Sequence, residues 1–382
     1  MLVLLAVSLS LSVLETSVHV SAQTTYANPQ IYVDAKWVAD NKDNPSTVIV
    51  DMRSAADYAN GHIPGAINFQ AADLLRDANN RLLPVNVVTE ILGQYGINEN
   101  KTVVWYGAGF DAMQCAGETI GYWIMEYLGN PHSSVLVSGI GGWIAAGYPT
   151  ATDPTTLPST TFHGTVNDSI LATTQWLSDH LNDTNVIIID VRTQGEYNGS
   201  VIQTLRGGHI PGAININAFS NFVGFAPGQF GVMKSQDDLT TLYAGIPKDK
   251  DIVVYCQTGG RGSLTFWTLQ LIGYPHVRYY DDSWYIWGND LPLPVQNESF
   301  FDLNGLQKTV NTLSGTVSQL NATVNSLQAN VTQINATANS LQAKVDQLNS
   351  TANNMYGVYG AYLIGILGVV LAIWAVAKKR KT

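Results

Sequence analysis

The residues of this chain best suited to covalent chemistry are a cysteine and an arginine on a glycine-rich turn, in the segment DIVVYCQTGGRGS at 251–263. The apolar run from Ile252 to Tyr255 predicts a buried strand that ends at Cys256. The residues from Ser263 to Gly273 have apolar side chains at helical spacing, so they predict a helix. The turn is therefore expected between the end of a strand and the start of a helix.

A thiol at such a place is expected to act as a nucleophile. Backbone N–H groups of the turn and of the first helical turn converge on one point and favour negative charge there, and Arg261 adds a fixed positive charge. The thiolate is the reactive form of cysteine, so the pattern predicts covalent chemistry by Cys256 on an anionic substrate. A buried, inert cysteine at a strand end is the alternative.

This turn resembles the six-residue active-site loop of the rhodaneses (thiosulfate sulfurtransferases), above all the two-domain bacterial ones. In this chain it consists of Cys256, Gln257, Thr258, Gly259, Gly260 and Arg261. The resemblance implies that Cys256 is catalytic, that the other five residues bind the substrate, and that the sulfur is held as a persulfide. The segments 273–275 and 282–288 are similar to the family's C-terminal signature, with Asp282 replacing a usual glycine and Ile286 a usual glutamate.

The chain repeats itself. VIVDMR at 48–53 returns as IIIDVR at 187–192, and GHIPGAIN at 61–68 returns at 208–215. Apolar strands that alternate with helical patterns predict the α/β class, with two tandem units, each a mainly parallel sheet flanked by helices. The resemblance implies that these units are rhodanese-like domains. The GHIPGA blocks resemble the family's N-terminal signature, which implies that His62 and His209 order a turn and are not general bases. Extra residues around 200–207 break the spacing of this block in the second copy.

The two copies differ at the reactive position. Matching VVWY at 103–106 to VVYC at 253–256 places Tyr106 at the position of Cys256, and the loop that follows Tyr106 has no arginine. We therefore expect the first repeat to be inactive and to form one wall of the crevice over Cys256. Cys115 falls in the next predicted helix, where a packed core thiol is favoured over a resolving cysteine.

Acidic and basic side chains stand together where two predicted strands end: Asp51 with Arg53, and Asp190 with Arg192. Ligand crevices open at the carboxyl ends of strands in α/β sheets. A buried ion pair that fixes the loop is the favoured role of each pair. Arg192 is also a candidate for substrate binding, since it would add positive potential to the anion pocket.

The composition is that of a weakly charged, acidic chain. Charged residues make up 13% of the 382 residues and the net charge is −10, which gives no sign of nucleic-acid binding. The two cysteines lie in different repeats, so a disulfide scaffold is not expected, and no His/Cys cluster has metal-ligand spacing. Neither a metal nor another cofactor is expected.

Both ends of the chain differ from the repeats. Residues 1–22 predict a signal peptide, with an uncleaved N-terminal anchor as the alternative. The remaining boundaries are predicted as follows: repeat 1 at 26–147, a linker at 148–164, repeat 2 at 165–290, a second linker at 291–305, a coiled coil at 306–355, a transmembrane helix at 358–377 and a cytoplasmic tail at 378–382.

Apolar residues recur in alternating steps of four and three from Leu306 to Met355. Valine dominates one core position of this heptad and leucine the other, which predicts a left-handed coiled coil that forms a homodimer or a homotrimer. The flanking positions are mostly Gln, Ser, Asn and Thr, so pairing hardly depends on ionisation. A lone amphipathic helix is the alternative.

The segment from Val358 to Ala377 has no charged residue and is long enough to span a bilayer. The basic run at 378–381 places the C-terminus in the cytoplasm by the positive-inside rule, and the repeats outside the cell. Sequons for N-glycosylation agree with an extracellular surface; they begin at Asn100, Asn167, Asn182, Asn198, Asn297, Asn321, Asn330, Asn335 and Asn349.

The sequence thus predicts a membrane-tethered extracellular sulfurtransferase on an oligomeric stalk. Its substrate would be a small sulfur-containing anion. Many thiosulfate-preferring enzymes have a lysine where this chain has Thr258, so the donor stays open among thiosulfate, mercaptopyruvate and polysulfide. The rival hypothesis is a structural component of a cell envelope whose rhodanese-like head is not catalytic.

Overall fold

The structure is a computed structural model that describes residues 26–109, 117–223 and 232–379. It divides into two units, 1–301 and 302–382. The first unit holds both repeats and the second unit is the C-terminal helix. The signal peptide predicted at 1–22 and Cys115 lie outside the described residues.

The first repeat is built on five parallel strands. These are β1 (Tyr32–Val33), β2 (Thr47–Asp51), β3 (Ile67–Asn68), β4 (Thr102–Tyr106) and β5 (Ser133–Leu136). They lie in the order β1, β5, β4, β2, β3, with parallel pairing throughout. The helices of this repeat are α1 (Ala35–Asn41), α2 (Ala55–Asn60), α3 (Ala71–Leu74), α4 (Val85–Gln94), α5 (Gly117–Tyr127) and α6 (Gly139–Ala145).

The described residues of the second repeat form nine strands. They are β6 (Leu171–Ala172), β7 (Val186–Asp190), β8 (Arg206–His209), β9 (Ile214–Asn215), β10 (Phe222–Val223), β11 (Val232–Met233), β12 (Asp251–Tyr255), β13 (Val277–Tyr280) and β14 (Gln296–Phe300). Its helices are α7 (Thr174–Asp179), α8 (Gln194–Tyr197), α9 (Gln236–Leu242), α10 (Gly260–Leu271) and α11 (Ser283–Trp287). Short 3-10 helices lie at Pro29–Ile31, Asp168–Ile170 and Ala218–Asn221.

Five strands of the second repeat form a parallel sheet in the order β6, β13, β12, β7, β9. This order repeats that of the first sheet, so the predicted fold class of two α/β repeats with parallel sheets is confirmed. The strands β2, β4, β7 and β12 are buried over most of their length, as expected for parallel strands that are covered by helices on both faces.

Two antiparallel ladders were not predicted. The strand β14 lies within 291–305, which the sequence assigned to a linker, and it pairs with β8 across a bulge. The strand β8 begins in the extra residues around 200–207 and ends at His209 of the repeated block. The inserted segment that contains the start of β8 therefore pairs with β14, a strand that lies about ninety residues further along the chain. The second ladder joins β10 to β11.

The two repeats share one hydrophobic core. A continuous cluster of buried side chains contains residues of both sheets, including Trp105 of β4 and Val254 of β12. The helices α5 and α10 meet in this core, where Thr119 and Ser263 join their hydroxyls at 2.9 Å and Tyr122 donates to Gln270 at 2.8 Å. The repeats therefore fold as one unit in which the first repeat packs beside the helix that follows Cys256.

The second unit is one continuous helix, α12 (Leu303–Lys379). The predicted coiled coil and the predicted transmembrane segment are parts of this single helix. By length and composition it is apolar enough to cross a membrane. Its heptad positions are exposed in the single chain; Leu320 and Leu327, for example, are 59% and 58% exposed.

Candidate active site

The end of β12 is fixed by a buried hydrogen-bond network. The hydroxyl of Tyr255 donates to Asp190 Oδ2 at 2.7 Å and accepts from the N–H of Ile210 at 3.1 Å. Arg192 Nη2 donates to the same carboxylate at 2.6 Å and to the carbonyl of Gly208 at 2.6 Å. The favoured interpretation of Asp190 and Arg192 as a buried ion pair is therefore confirmed, and Arg192 is 1% exposed.

The first repeat has the same network, one position later than the sequence match implied, at Tyr106 and not at Trp105. Tyr106 donates to Asp51 Oδ2 at 2.6 Å and accepts from the N–H of Ile63 at 3.1 Å. Tyr106 therefore corresponds to Tyr255, and Gly107 stands at the position of Cys256. The match of Tyr106 to Cys256 was wrong by one residue. The apolar residues of the two strands can be aligned in either of two registers, and only the side chain that binds the aspartate shows which register is right.

Cys256 is the first residue beyond β12 and is 1% exposed. Its Sγ accepts a hydrogen bond from the N–H of Gly259 at 3.1 Å. Gly259 has a φ of +106°, a conformation that glycine adopts without steric cost, and α10 begins at the next residue. The bend at Gly259 thus turns a backbone N–H toward the sulfur, where it favours the thiolate.

Hydrogen bonds from the start of α11 hold the backbone of the active loop in place. Ser283 Oγ accepts from the N–H of Cys256 at 3.3 Å, and the N–H groups of Trp284 and Tyr285 donate to the carbonyls of Cys256 and Gln257 at 2.9 and 2.8 Å. Ser283 has a φ of +51°, in the left-handed region where a side chain costs about 1–3 kcal/mol. Strain of this kind next to the cysteine agrees with a functional loop.

The departure at Asp282 has a structural reason. Its carboxylate accepts from Arg81 Nε of the first repeat at 2.6 Å and from Thr174 Oγ1 at 2.5 Å. Its φ of −56° is ordinary for any residue, so a glycine is not required there. The aspartate therefore ties the first repeat to the second beside the active loop.

Arg261 does not point into an open anion site. Its two terminal nitrogens each donate to a carboxylate oxygen of Glu196 at 2.8 Å. Burial raises the pKa of Glu196, but the hydrogen bonds and charge of Arg261 outweigh it and lower that pKa to about 2. Glu196 also closes a capping box with Thr193 at the start of α8, so Arg261 ties the active loop to that helix.

The sequence interpretation missed Glu196, Ser283 and Arg76. The Thr-x-x-Glu spacing of Thr193 and Glu196 is a capping signal that would have placed Glu196 at a helix start, but not its partner. Arg76 Nη1 lies 3.4 Å from the carbonyl oxygen of Thr258, although the two residues are 182 positions apart. No local pattern signals a contact across that distance in sequence.

The two signature histidines take part in packing. His62 Nδ1 lies 2.9 Å from the carbonyl oxygen of Tyr58, and His209 Nδ1 lies 2.8 Å from that of Tyr197. Because a carbonyl accepts only, Nδ1 carries the proton in each ring. Each histidine also stacks on its tyrosine at 3.7 Å, so the extra residues before His209 leave the arrangement intact.

Comparison with known proteins agrees with this geometry. The rhodanese-like domain family matches residues 34–146 and 173–290. The chain is 31% identical over 290 residues to the sulfur carrier protein TtuD of Thermus thermophilus, covering 71% of this chain and 98% of that protein. It is 29% identical over 281 residues to a thiosulfate sulfurtransferase of Pseudomonas aeruginosa, covering 72% of this chain and 99% of that enzyme.

A solved structure shows the same likeness. The 3-mercaptopyruvate sulfotransferase SseA of Escherichia coli superposes with a TM-score of 0.56 at 27% identity, covering 66% of this chain and 98% of that one. Each of these proteins is thus matched over nearly its whole length. The matched parts of this chain are the two repeats, since the family matches end at 290.

The Arg261–Glu196 pair predicts a pH-dependent stability. The pKa of Glu196 falls from 4.5 to about 2, so its charge stabilises the folded chain above about pH 4.5 and this stabilisation is lost as the pH falls toward 2. We expect Glu196→Gln to lower the free energy of unfolding by about 2 kcal/mol at neutral pH. Urea unfolding of residues 23–301 at a series of pH values should show this difference shrink in acid.

A matched control is Asp40→Asn, which removes the exposed ion pair between Lys36 and Asp40. An exposed pair contributes little, so we expect a clearly smaller change for this variant than for Glu196→Gln, and one that does not shrink in acid in the same way. A difference between wild type and Glu196→Gln that stays constant down to about pH 3 would contradict the assignment.

Proposed function

This chain belongs to the rhodanese family, and on that premise we propose that its second repeat moves a sulfane sulfur from thiosulfate or a similar donor to a thiophilic acceptor. The observation that carries the proposal is the contact between Cys256 Sγ and the N–H of Gly259 at 3.1 Å, at the start of α10. A thiol that receives a backbone N–H at a helix start is suited to nucleophilic attack.

The proposed reaction has two displacements. The Cys256 thiolate attacks the outer sulfur of thiosulfate, the S–S bond of the donor breaks, and sulfite leaves with the bonding electron pair. The cysteine then carries the sulfur as a persulfide. An acceptor such as cyanide attacks the outer sulfur of that persulfide, the new S–S bond breaks, and the thiolate is restored as thiocyanate forms.

The residues of the active loop would have different roles in the proposed reaction. Cys256 and Gln257 are buried, whereas Thr258 is exposed and is the part of the loop that an incoming donor meets. Gly259 and Gly260 let the backbone approach the sulfur closely. We propose that Arg261 and Arg192 support the loop through their ion pairs with carboxylates. They would act on the substrate only through the positive electrostatic potential that these ion pairs do not neutralise.

Gly107 bears on the proposed division between the repeats. It stands where Cys256 stands in the second repeat and has no side chain that can hold a sulfur. We therefore propose that the first repeat is catalytically silent. Because α5 packs on α10, the silent repeat still contributes to the stability of the helix that follows the nucleophile.

We propose that α12 joins copies of this chain. Twelve large apolar side chains of the heptad seam between Val310 and Met355 are 47% to 69% exposed in the single chain. A regular seam of this length stabilises a helix by burying it against a second copy. Val at one core position and Leu at the other favour a parallel dimer, with a trimer as the other outcome of the test.

We also propose that the end of α12 spans the cell membrane, with the C-terminus in the cytoplasm and the repeats outside. The segment 358–377 has no charged residue and is followed directly by a basic run. Eight of the nine sequon asparagines are exposed, and Asn167 is half-buried, so the surface is open to glycosylation. The predicted signal peptide would deliver the repeats to that side.

The first test is sulfur loading of residues 23–301. We expect incubation with thiosulfate to add one sulfur to the protein, seen by intact mass, and cyanide to remove it. Mercaptopyruvate, tried separately, tests the alternative donor. Cys256→Ser should take up no sulfur, and Cys115→Ser should load as wild type does. A folded, reduced protein that loads with neither donor would favour the rival structural role.

The second test concerns the seam. We expect the double variant Leu320→Asp, Leu327→Asp to dissociate the oligomer of the full-length chain in detergent, because a charged group at a core position is costly to bury. Sedimentation would measure the change. The matched control is Ala322→Asp, Ala329→Asp, whose positions face away from the seam. Equal behaviour of both variants would argue against the coiled coil.

The third test concerns the membrane. With an epitope added after Thr382, we expect antibody to bind only after intact cells are permeabilised, and a protease added outside to remove the repeats. Asn330→Gln should increase electrophoretic mobility if that sequon carries a glycan. Labelling of the epitope on intact cells would reverse the proposed orientation.

A further inference from the structure

A side chain of the first repeat lies against the active loop of the second. Arg76 follows α3 and is 8% exposed. Its Nη1 lies 3.4 Å from the carbonyl oxygen of Thr258, and its Nη2 donates to Asp281 at 2.5 Å. The first repeat therefore reaches the loop with a charged group.

The peptide that joins Thr258 to Gly259 links this guanidinium to the reactive sulfur. Its carbonyl oxygen faces Arg76, and its N–H donates to Cys256 Sγ at 3.1 Å. A peptide whose carbonyl accepts a hydrogen bond is polarised, which strengthens its N–H as a donor. A positive charge at the carbonyl thus increases the stabilisation of negative charge at the sulfur.

The packing around Gly259 shows that the approach is close. A Cβ placed on Gly259 would lie 2.8 and 2.9 Å from the two terminal nitrogens of Arg76, and it would also collide with the hydroxyl of Tyr279. Asp281 orients the guanidinium and is itself held by the N–H of Leu82 at 2.9 Å. The guanidinium of Arg76 is therefore held in contact with the Thr258–Gly259 peptide.

The charge of Arg76 is maintained although the side chain is buried. Burial lowers the pKa of Arg76, but Tyr279, Asp281 and Cys256 together raise it above its ordinary value. The other two arginines of the site are directed to carboxylates, Arg261 to Glu196 and Arg192 to Asp190. Arg76 also has a carboxylate partner, and it additionally reaches a carbonyl of the loop.

We infer that Arg76 of the first repeat is a positioning residue for Cys256: it holds and polarises the Thr258–Gly259 peptide so that its N–H stabilises the thiolate and then the persulfide. The persulfide part rests on the proposed function, and the thiolate part does not. The repeat without a nucleophile would then tune the nucleophile of its partner repeat.

The test is the pH dependence of iodoacetamide alkylation of the full-length chain in detergent, on a Cys115→Ser background so that Cys256 is the one thiol. We expect Arg76→Gln to move the midpoint of the alkylation rate upward by about one pH unit, the size expected for loss of a nearby opposite charge. Arg76→Lys should lie between Gln and wild type, because its single ammonium serves one of the two oxygens.

The matched control is Arg81→Gln, which removes the other ion pair from the first repeat, to Asp282, without touching the loop carbonyl. We expect its midpoint to equal that of wild type. A midpoint of Arg76→Gln at the wild-type value, or one no higher than that of Arg76→Lys, overturns the inference. If Arg76→Gln does not fold, Arg76→Lys decides, and a wild-type midpoint for it overturns the inference.

Sulfur loading is measured on the same variants, and it separates this inference from the proposed function. A wild-type chain that takes up no sulfur but shows the shift for Arg76→Gln retains the inference and loses the sulfurtransferase proposal. Normal loading with no shift in the midpoint gives the reverse outcome.

Discussion

The position of the reactive sulfur depends on the hydrogen bond between the hydroxyl of Tyr255 and Asp190 at the end of two neighbouring strands. Tyr255 and Asp190 are fully buried, so a shift of β12 by one residue would separate the hydroxyl from the carboxylate and from the N–H of Ile210. A buried polar group left without its partner costs about 1–3 kcal/mol. The register of the sheet is therefore fixed. Cys256 follows as the first residue that leaves the strand.

The first repeat builds the same network around Asp51 and Tyr106 and then places Gly107 where the sulfur would be. A scaffold of this kind is set by packing and by buried polar contacts, and the nucleophile is added to it at one position. The fold and the chemistry are thus separable, which agrees with the general independence of fold and function. The two parallel sheets have the same strand order, and the position of the nucleophile differs in the residue that follows the central strand.

Local patterns in the sequence were sufficient for the strand before Cys256, the glycine turn, the helix after it, the two repeats and the heptads of α12. Each of these is encoded within about twenty residues by periodicity and turn residues. The pairing of Arg261 with Glu196, the strand β14 and the contact of Arg76 with Thr258 join segments that are distant in the sequence. A single sequence carries no signal for such contacts, and the letter match alone could not place Tyr106.

Contacts between segments that are distant in the sequence also connect the first repeat, which lacks the cysteine of the active loop, to the active site of the second. The helix α5 of the first repeat shares the core with α10, and Arg81 reaches Asp282 in the segment that supports the active loop. The ion pair of Arg76 with Asp281 is buried and resists change, because removing one partner leaves the other unsatisfied. A chain that lost its first repeat would therefore expose the core beside α10 and remove the arginine partners of Asp281 and Asp282. The active loop is thus part of the second repeat and is held in place by residues of both repeats.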